Sequence, residues 1–148
     1  MQTILRISDA AAIAVHAADY LANKRGLGTA QEMAKALGVS YNHLSKVLQH
    51  LTRAGLISPS RGPKGGFALS EAGRRAPLRA FIAATDGPAP SSDCLLGHKA
   101  CGRAGCVFGG FLKETNRALG KILDMTLTDM NAKGSAARYA SLGREGRK

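Results

Sequence analysis

Apolar positions recur at helical spacing in separate blocks along the chain, and polar capping residues mark where the blocks begin. In SDAAAIAVHAADYLANK (8–24), Ile13, Ala14, Ala17, Tyr20 and Leu21 share one face. Ser8 is placed to cap this helix, and RGLG at 25–28 supplies Gly26 and Gly28 as terminators. In TAQEMAKALG, Thr29 and Glu32 have the spacing of a capping box, in which each side chain satisfies a backbone N–H of the first turn. Met33, Ala34 and Leu37 form its apolar face, and Gly38 permits the left-handed turn that stops it. In SYNHLSKVLQHLTRAG, Ser40 is the N-cap. Leu44, Val47, Leu48 and Leu51 recur at i, i+3, i+4 and i+7, and Gly55 is the stop. Two helices joined tightly through LGVS make a helix-turn-helix.

LISPSRGPKGGFALS then breaks the helical period. Leu56 and Ile57 open one short strand, Phe67 to Leu69 make a second, and the turn-rich stretch between them carries Arg61 and Lys64. This predicts a β-hairpin with a cationic tip, placed where a wing would follow the helix pair. A further helix is predicted over 77–86, with Pro77 at its first position, where a missing N–H is harmless. GPAPSS at 87–92 is a loop. Phe108, Phe111, Leu112, Leu119, Ile122 and Leu123 predict a long helix over 107–124, and Thr126 with Asp129 starts a fresh one. From about Ala132 the chain is rich in Gly, Ser, Ala and Arg and has no period, which predicts disorder or weak helicity. The fold class is therefore mainly α, a winged helix-turn-helix with a small β-hairpin wing and a long C-terminal helix. The predicted boundaries are 1–87 for the winged domain, 88–106 for a cysteine loop, 107–132 for the long helix and its short successor, and 133–148 for a flexible basic tail.

Composition sharpens this. The 148 residues are 45% hydrophobic, enough for one domain with a core, and the scarcity of aromatics beside many Ala and Leu agrees with close-packed helices. Twenty-one Lys and Arg against 10 Asp and Glu give a formal charge of +11, which points to a polyanionic partner, most simply double-stranded DNA. The terminal RYASLGREGRK holds only part of the excess. No basic segment followed by an apolar run suggests an export signal, and no apolar stretch has membrane-spanning length, so a cytoplasmic location away from membranes is expected. A nucleotide-binding Gly-rich loop, a C-x-x-C pair and a nucleophile–base pair are all missing from the sequence, which argues against an enzyme. His16, His43 and His50 fall within helices, where surface or packing roles suffice.

The helix starting at Ser40 sets Tyr41, Asn42, Ser45, Lys46 and Gln49 opposite its apolar face. These are groups that hydrogen-bond base edges or phosphates, and a recognition helix presents its N-terminal residues to the major groove. Tyr41, Asn42, Ser45 and Lys46 are thus the candidate DNA contacts. Arg61 at the hairpin tip is a candidate for the adjacent minor groove, with Lys64 on phosphate. Singly, each such residue could be an ordinary surface group. Their order on a basic chain favours DNA.

Three cysteines, Cys94, Cys101 and Cys106, lie in one Gly-containing loop with spacing C-x6-C-x4-C. Thiolates are soft ligands suited to iron–sulfur clusters or zinc. Cluster iron usually takes four protein ligands, so three cysteines imply an outside ligand or an open site. A thiol redox switch without metal and a structural zinc site remain alternatives.

The stretch VSYNHLSKVLQHLTRAGLISPSRGPKGGFALS closely resembles the Rrf-two family of bacterial transcription regulators, which includes IscR and NsrR types. The shared features are Leu44 and Val47, L-x-x-A-G-L-I at 51–57, S-x-R-G-x-x-G-G at 60, 61, 62, 65 and 66, and the following L-S. ATDGP at 84–88 and TLTDM at 126–130 also match, so the likeness covers about residues 4 to 131. It implies a homodimer joined through the helix at 107–124, operator binding, repression as the expected sign, and sensing of redox, nitric oxide or iron–sulfur status. It also implies that Cys94, Cys101 and Cys106 hold an iron–sulfur cluster, 2Fe-2S or 4Fe-4S, because cluster-binding members carry three cysteines in this loop. The IscR-type His three residues after the last cysteine is replaced by Gly109. The NsrR-type acidic residue at the start of the first helix, given by the partner subunit, matches Asp9. His98 and Asp93 are further candidates for the fourth ligand. A carboxylate in a first helical turn is also explained by the helix dipole alone.

Overall fold

A computed structural model describes residues 7–88 and 106–131. Cys94, Cys101, His98, Asp93 and the tail at 133–148 lie outside the described residues. The elements are α1 (Asp9–Asn23), α2 (Ala30–Leu37), α3 (Tyr41–Arg53), β1 (Ile57–Ser60), β2 (Gly66–Leu69), α4 (Glu71–Arg75), α5 (Leu78–Asp86), α6 (Gly109–Leu123) and α7 (Leu127–Met130). Among the described residues no helix is long and apolar enough to cross a membrane.

The caps predicted from local chemistry form. The Ser8 hydroxyl accepts the Ala11 N–H at 3.1 Å. Thr29 Oγ1 accepts the Glu32 N–H at 3.2 Å while Glu32 Oε2 accepts the Thr29 N–H at 3.0 Å. Ser40 Oγ accepts the His43 N–H at 3.2 Å, and Thr126 and Asp129 complete a second box. Gly38 closes α2 in the left-handed region at φ 67°. With the helix ends satisfied, burial of one face of each helix drives the packing. Leu44, Val47, Leu48 and Leu51 of α3 meet Ala14, Ala17 and Leu21 of α1, Met33 of α2 and Phe81 of α5 in one core. α1 is the centre of this arrangement, packing on α2, α3, α5 and β2.

β1 and β2 pair antiparallel, Ile57 with Leu69 through Ser60 with Gly66, leaving Arg61–Gly65 as the tip. The sheet has an unpredicted third member. Gly28 pairs with Phe67, exchanging backbone bonds of 2.9 and 2.8 Å. Gly28 is therefore not a terminator of α1, which ends at Asn23. The approach is close: a Cβ on Gly66 would stand 2.8 Å from the Gly28 carbonyl oxygen.

Three further details depart from the sequence reading. β1 begins at Ile57, while Leu56 is buried just before it. α4 was not predicted. Ser70 caps it by accepting the Gly73 N–H at 2.9 Å, and the same hydroxyl donates to the Gly55 carbonyl at 2.6 Å, so α4 is pinned beneath the wing. Pro77 is the extended N-cap of α5 rather than its first helical residue, because it pairs with Thr126 across the chain. The adjacent Leu78 N–H donates to the Met125 carbonyl at 2.9 Å, and Arg79 pairs with Asp124. A small apolar cluster of Ala11, Ile82 and Leu123 joins α1, α5 and the C-terminal end of α6.

Candidate nucleic-acid interface

α3 turns its apolar side to the core and leaves Tyr41, Asn42 and Lys46 exposed and Ser45 half-buried. At 100° per residue, Asn42, Lys46, Gln49 and Arg53 form one stripe directly opposite the buried leucines. Arg61 and Lys64 are both exposed at the hairpin tip, where Gly62 at φ 112° makes the turn. All six predicted DNA-facing residues thus lie on α3 or the wing, the two elements that follow one another through Gly55.

Gln49, Arg53 and the strand residues Pro59 and Phe67, together with Thr52, line a cleft of about 310 Å³ between the last turns of α3 and the sheet. The sequence reading passed over Arg53 because it stopped at the N-terminal half of the helix. A signal was available: from Met33 to Ser70 there is no Asp or Glu, while Lys35, Lys46, Arg53, Arg61 and Lys64 are all cationic. The first acids on either side, Glu32 and Glu71, are each engaged, with Lys24 at 2.8 Å and Arg75 at 2.5 Å. The hydrogen bond from Lys24, then that from the Thr29 N–H, holds the Glu32 carboxyl below its usual range, and the same contact with Glu32 raises Lys24. The face built by α3 and the wing is therefore positive without interruption.

A family model described as iron-dependent transcriptional regulator, Rrf2, matches residues 7–133. The chain belongs to the Rrf2 family. The helix-turn-helix transcriptional repressor NsrR of Streptomyces coelicolor is 30% identical over 103 residues, covering 69% of this chain and 70% of that one. The transcriptional regulator NsrR of Halalkalibacterium halodurans is 33% identical over 63 residues, 43% of each chain. Among solved structures, CymR, the global cysteine regulator of B. subtilis, superposes with a TM-score of 0.70 at 23% identity, covering 88% of this chain and 99% of that one. IscR of T. potens gives 0.65 at 22% identity, with 90% of each chain covered. At those identities the structural likeness establishes the winged-helix fold. As an Rrf2 member the protein is a DNA-binding transcription regulator, not an enzyme.

Of the predicted cluster ligands, Cys106 and Asp9 fall within the described residues. Cys106 is an exposed free thiol whose carbonyl accepts the Gly109 N–H at 3.0 Å, in the turn that leads into α6. Asp9 is exposed in the first turn of α1 and makes no hydrogen bond to a described residue. Among the described residues there is no group of three or more potential metal-binding side chains. Next to Asp9, Ser8 is held by the last residue of α5. Asp86 accepts the Ser8 N–H at 2.9 Å and also the Ser8 hydroxyl.

α6 exposes a second apolar feature. Phe108 (52%), Phe111 (58%) and Ile122 (53%) are large and open to solvent, while Leu112 and Leu123 on the adjoining flank are buried. Phe108, Phe111, Thr115, Ala118 and Ile122 follow the alternating three- and four-residue spacing of a helix-pairing seam.

Proposed function

We propose that this Rrf2 protein is a homodimeric repressor whose grip on its operator is set by an iron–sulfur cluster at Cys94, Cys101 and Cys106, with Asp9 of the partner subunit as fourth ligand. The observation that carries the reading is the order of parts. The only three cysteines stand between α5, at the end of the DNA-binding helices, and α6, the helix with the exposed seam.

The seam supports the dimer. It is large at both ends and small in the middle, at Thr115 and Ala118. Two antiparallel copies crossing between Thr115 and Ala118 would set these small residues against each other and each Phe111 beside the other's Ile122, a self-complementary arrangement of the kind a two-fold axis requires. Antiparallel pairing also supports the assignment of Asp9. Leu123 packs near Ala11 of the α1 first turn, whereas Cys106 lies beyond the opposite end of a 15-residue helix about 22 Å long. A partner running the other way would carry its own α1 start toward this Cys106.

The donor set suits such a group. Cys106 and Asp9 are exposed, and among the described residues neither side chain has a hydrogen-bond partner that it would have to give up to serve as a ligand. The cluster would supply a redox- and nitric-oxide-reactive centre, and the chain's part is to hold it between α5 and α6. Purification without oxygen, followed by a visible spectrum and assays of iron, zinc and sulfide, tests the reading. The expected result is iron and sulfide with a charge-transfer spectrum that weakens when Asp9→Ala is introduced. Zinc alone, or an iron-free protein after reconstitution, would refute the cluster and leave a structural zinc site or a thiol switch. Replacing Arg61 with Ala is expected to weaken operator binding at moderate salt.

A further inference from the structure

We infer that the cleft between α3 and the wing seats one stretch of the DNA sugar–phosphate backbone, with the Arg53 guanidinium on the phosphate; this rests on the DNA-binding reading above and extends it to a site outside the predicted contacts.

Geometry makes the first argument. Asn42 and Arg53 lie on one stripe of α3, and the 11-residue step from one to the other amounts to roughly 16 Å along the axis. A B-DNA major groove is about 12 Å wide. If the N-terminal residues of α3 stand over base edges, Arg53 lies past them at the groove wall, where the phosphates run. The wing supplies the second argument. A hairpin tip in the adjacent minor groove and a helix in the major groove must have one DNA strand between them. The space the protein offers there is the cleft of about 310 Å³.

Its chemistry matches that strand. Pro59 and Phe67 are direct cross-strand partners, so both side chains stand on the same face of the sheet and give an apolar floor suited to deoxyribose. Phe67 is fixed by its two backbone bonds to Gly28. Thr52 spends its hydroxyl on the Leu48 carbonyl at 2.8 Å and so adds a methyl group to the wall. Gln49 and Arg53 border the cleft with the aliphatic parts of their side chains, and Arg53 has no carboxylate partner among the described residues. A guanidinium without a competing carboxylate, beside an apolar floor, fits a phosphate followed by its sugar. Such a contact would fix register and carry no sequence information.

The test compares the full chain with Arg53→Gln, Arg53→Lys and Arg61→Ala on two short duplexes, one enriched from a random pool by the wild-type protein and one of arbitrary sequence, across a salt series. Loss of one phosphate contact is expected to make the slope of log K against log salt shallower by about 0.9 for Arg53→Gln. The proportional loss should be the same on both duplexes, and Arg53→Lys should keep most of the slope. An unchanged slope for Arg53→Gln, or a loss confined to the enriched duplex, overturns the assignment. If Arg61→Ala weakens binding while Arg53→Gln does not, the cleft alone is refuted. If the wild type binds neither duplex, the DNA-binding reading fails with it.

Discussion

Gly73→Ala and Gly120→Ala are the same substitution in two helices, and the structure predicts opposite signs. Ala is favoured over Gly within a helix by about 1 kcal/mol. At Gly120, in α6, a Cβ meets nothing within 4 Å, so most of that gain should appear as stability. At Gly73, in α4, a Cβ would stand 1.9 Å from the Leu56 carbonyl oxygen and 2.9 Å from its carbon. Carbon–oxygen contacts settle near ~3.3 Å, so the two backbones must separate by more than ~1 Å. The obstacle is main chain and cannot rotate away. The same Leu56 carbonyl accepts the Ser70 N–H at 3.1 Å, and Ser70 caps α4, so the shift strains a hydrogen bond and a cap together. Overpacking of this kind costs ~1–3 kcal/mol. Taking the upper end against the propensity gain, Gly73→Ala should lose about 2 kcal/mol, or about 4–8 °C in Tm. Because Leu56 leads directly into β1, the variant should also bind DNA more weakly through a displaced wing. Thermal melts of both variants decide the matter. A Gly73→Ala protein that melts at or above the wild type would refute the packing of α4 beneath the wing.

The seam on α6 predicts that Ile122→Glu yields monomers by light scattering while the helix content is unchanged, since Ile122 is half exposed and lies outside the buried core clusters. Ser8→Ala removes the bond to the Ala11 N–H and should cost about 1 kcal/mol in chemical denaturation, the usual value of an N-cap. Glu32 titrates below its usual range, so the stability it adds is present above the unfolded carboxyl value near ~4.3 and is lost as pH falls through the lower folded value. Glu32→Gln should therefore be less stable than wild type at neutral pH and should show a flatter acid limb when denaturation midpoints are plotted from neutral to acid pH.

The parts of the fold that were legible in the sequence are those decided locally. Ser8, Thr29 with Glu32, Ser40, and Thr126 with Asp129 each satisfy N–H groups within three residues, so their effect does not depend on the rest of the chain. The four apolar residues of α3 fix its inward face by period alone. What was missed is tertiary. Gly28 looks like a helix stop, yet its role is a single bridge to Phe67, 39 residues away, which no local pattern announces. α4 is five residues long and contains Gly73, so it shows neither period nor propensity, and it is held by its contact with Leu56. Pro77 departs from the first helical position because Thr126 holds it extended. At the interface, base-facing residues at the start of α3 could be read from helix polarity, but the cleft at Arg53 needs the wing to be folded back against the helix before it exists.

The same packing indicates how a change in the proposed cluster loop would reach the DNA. The loop is bounded by α5 at one end and by Cys106 and α6 at the other. Its α5 end is tied to α1 through Asp86 and Ser8, one residue from Asp9. Ala11, two residues further on, shares an apolar cluster with Ile82 of α5 and Leu123 of α6. α1 and α5 both pack on α3, so these groups form one continuous path from loop to recognition helix. A regulatory coupling of several-fold to a hundred-fold needs only ~1–3 kcal/mol. The Ser8 cap and its Asp86 contact are together of about that size, ~1–2 kcal/mol, given that the carboxylate is exposed. A ligand that pulls Asp9 toward a partner's thiolates would act on this same turn, so gain or loss of one first-turn arrangement would be energetically sufficient to switch the proposed dimer. The recognition helices need not be remodelled. Half-sites one helical turn apart would make binding by the proposed dimer sensitive to their spacing, and a small rotation of α1 against α5 in each subunit would change it.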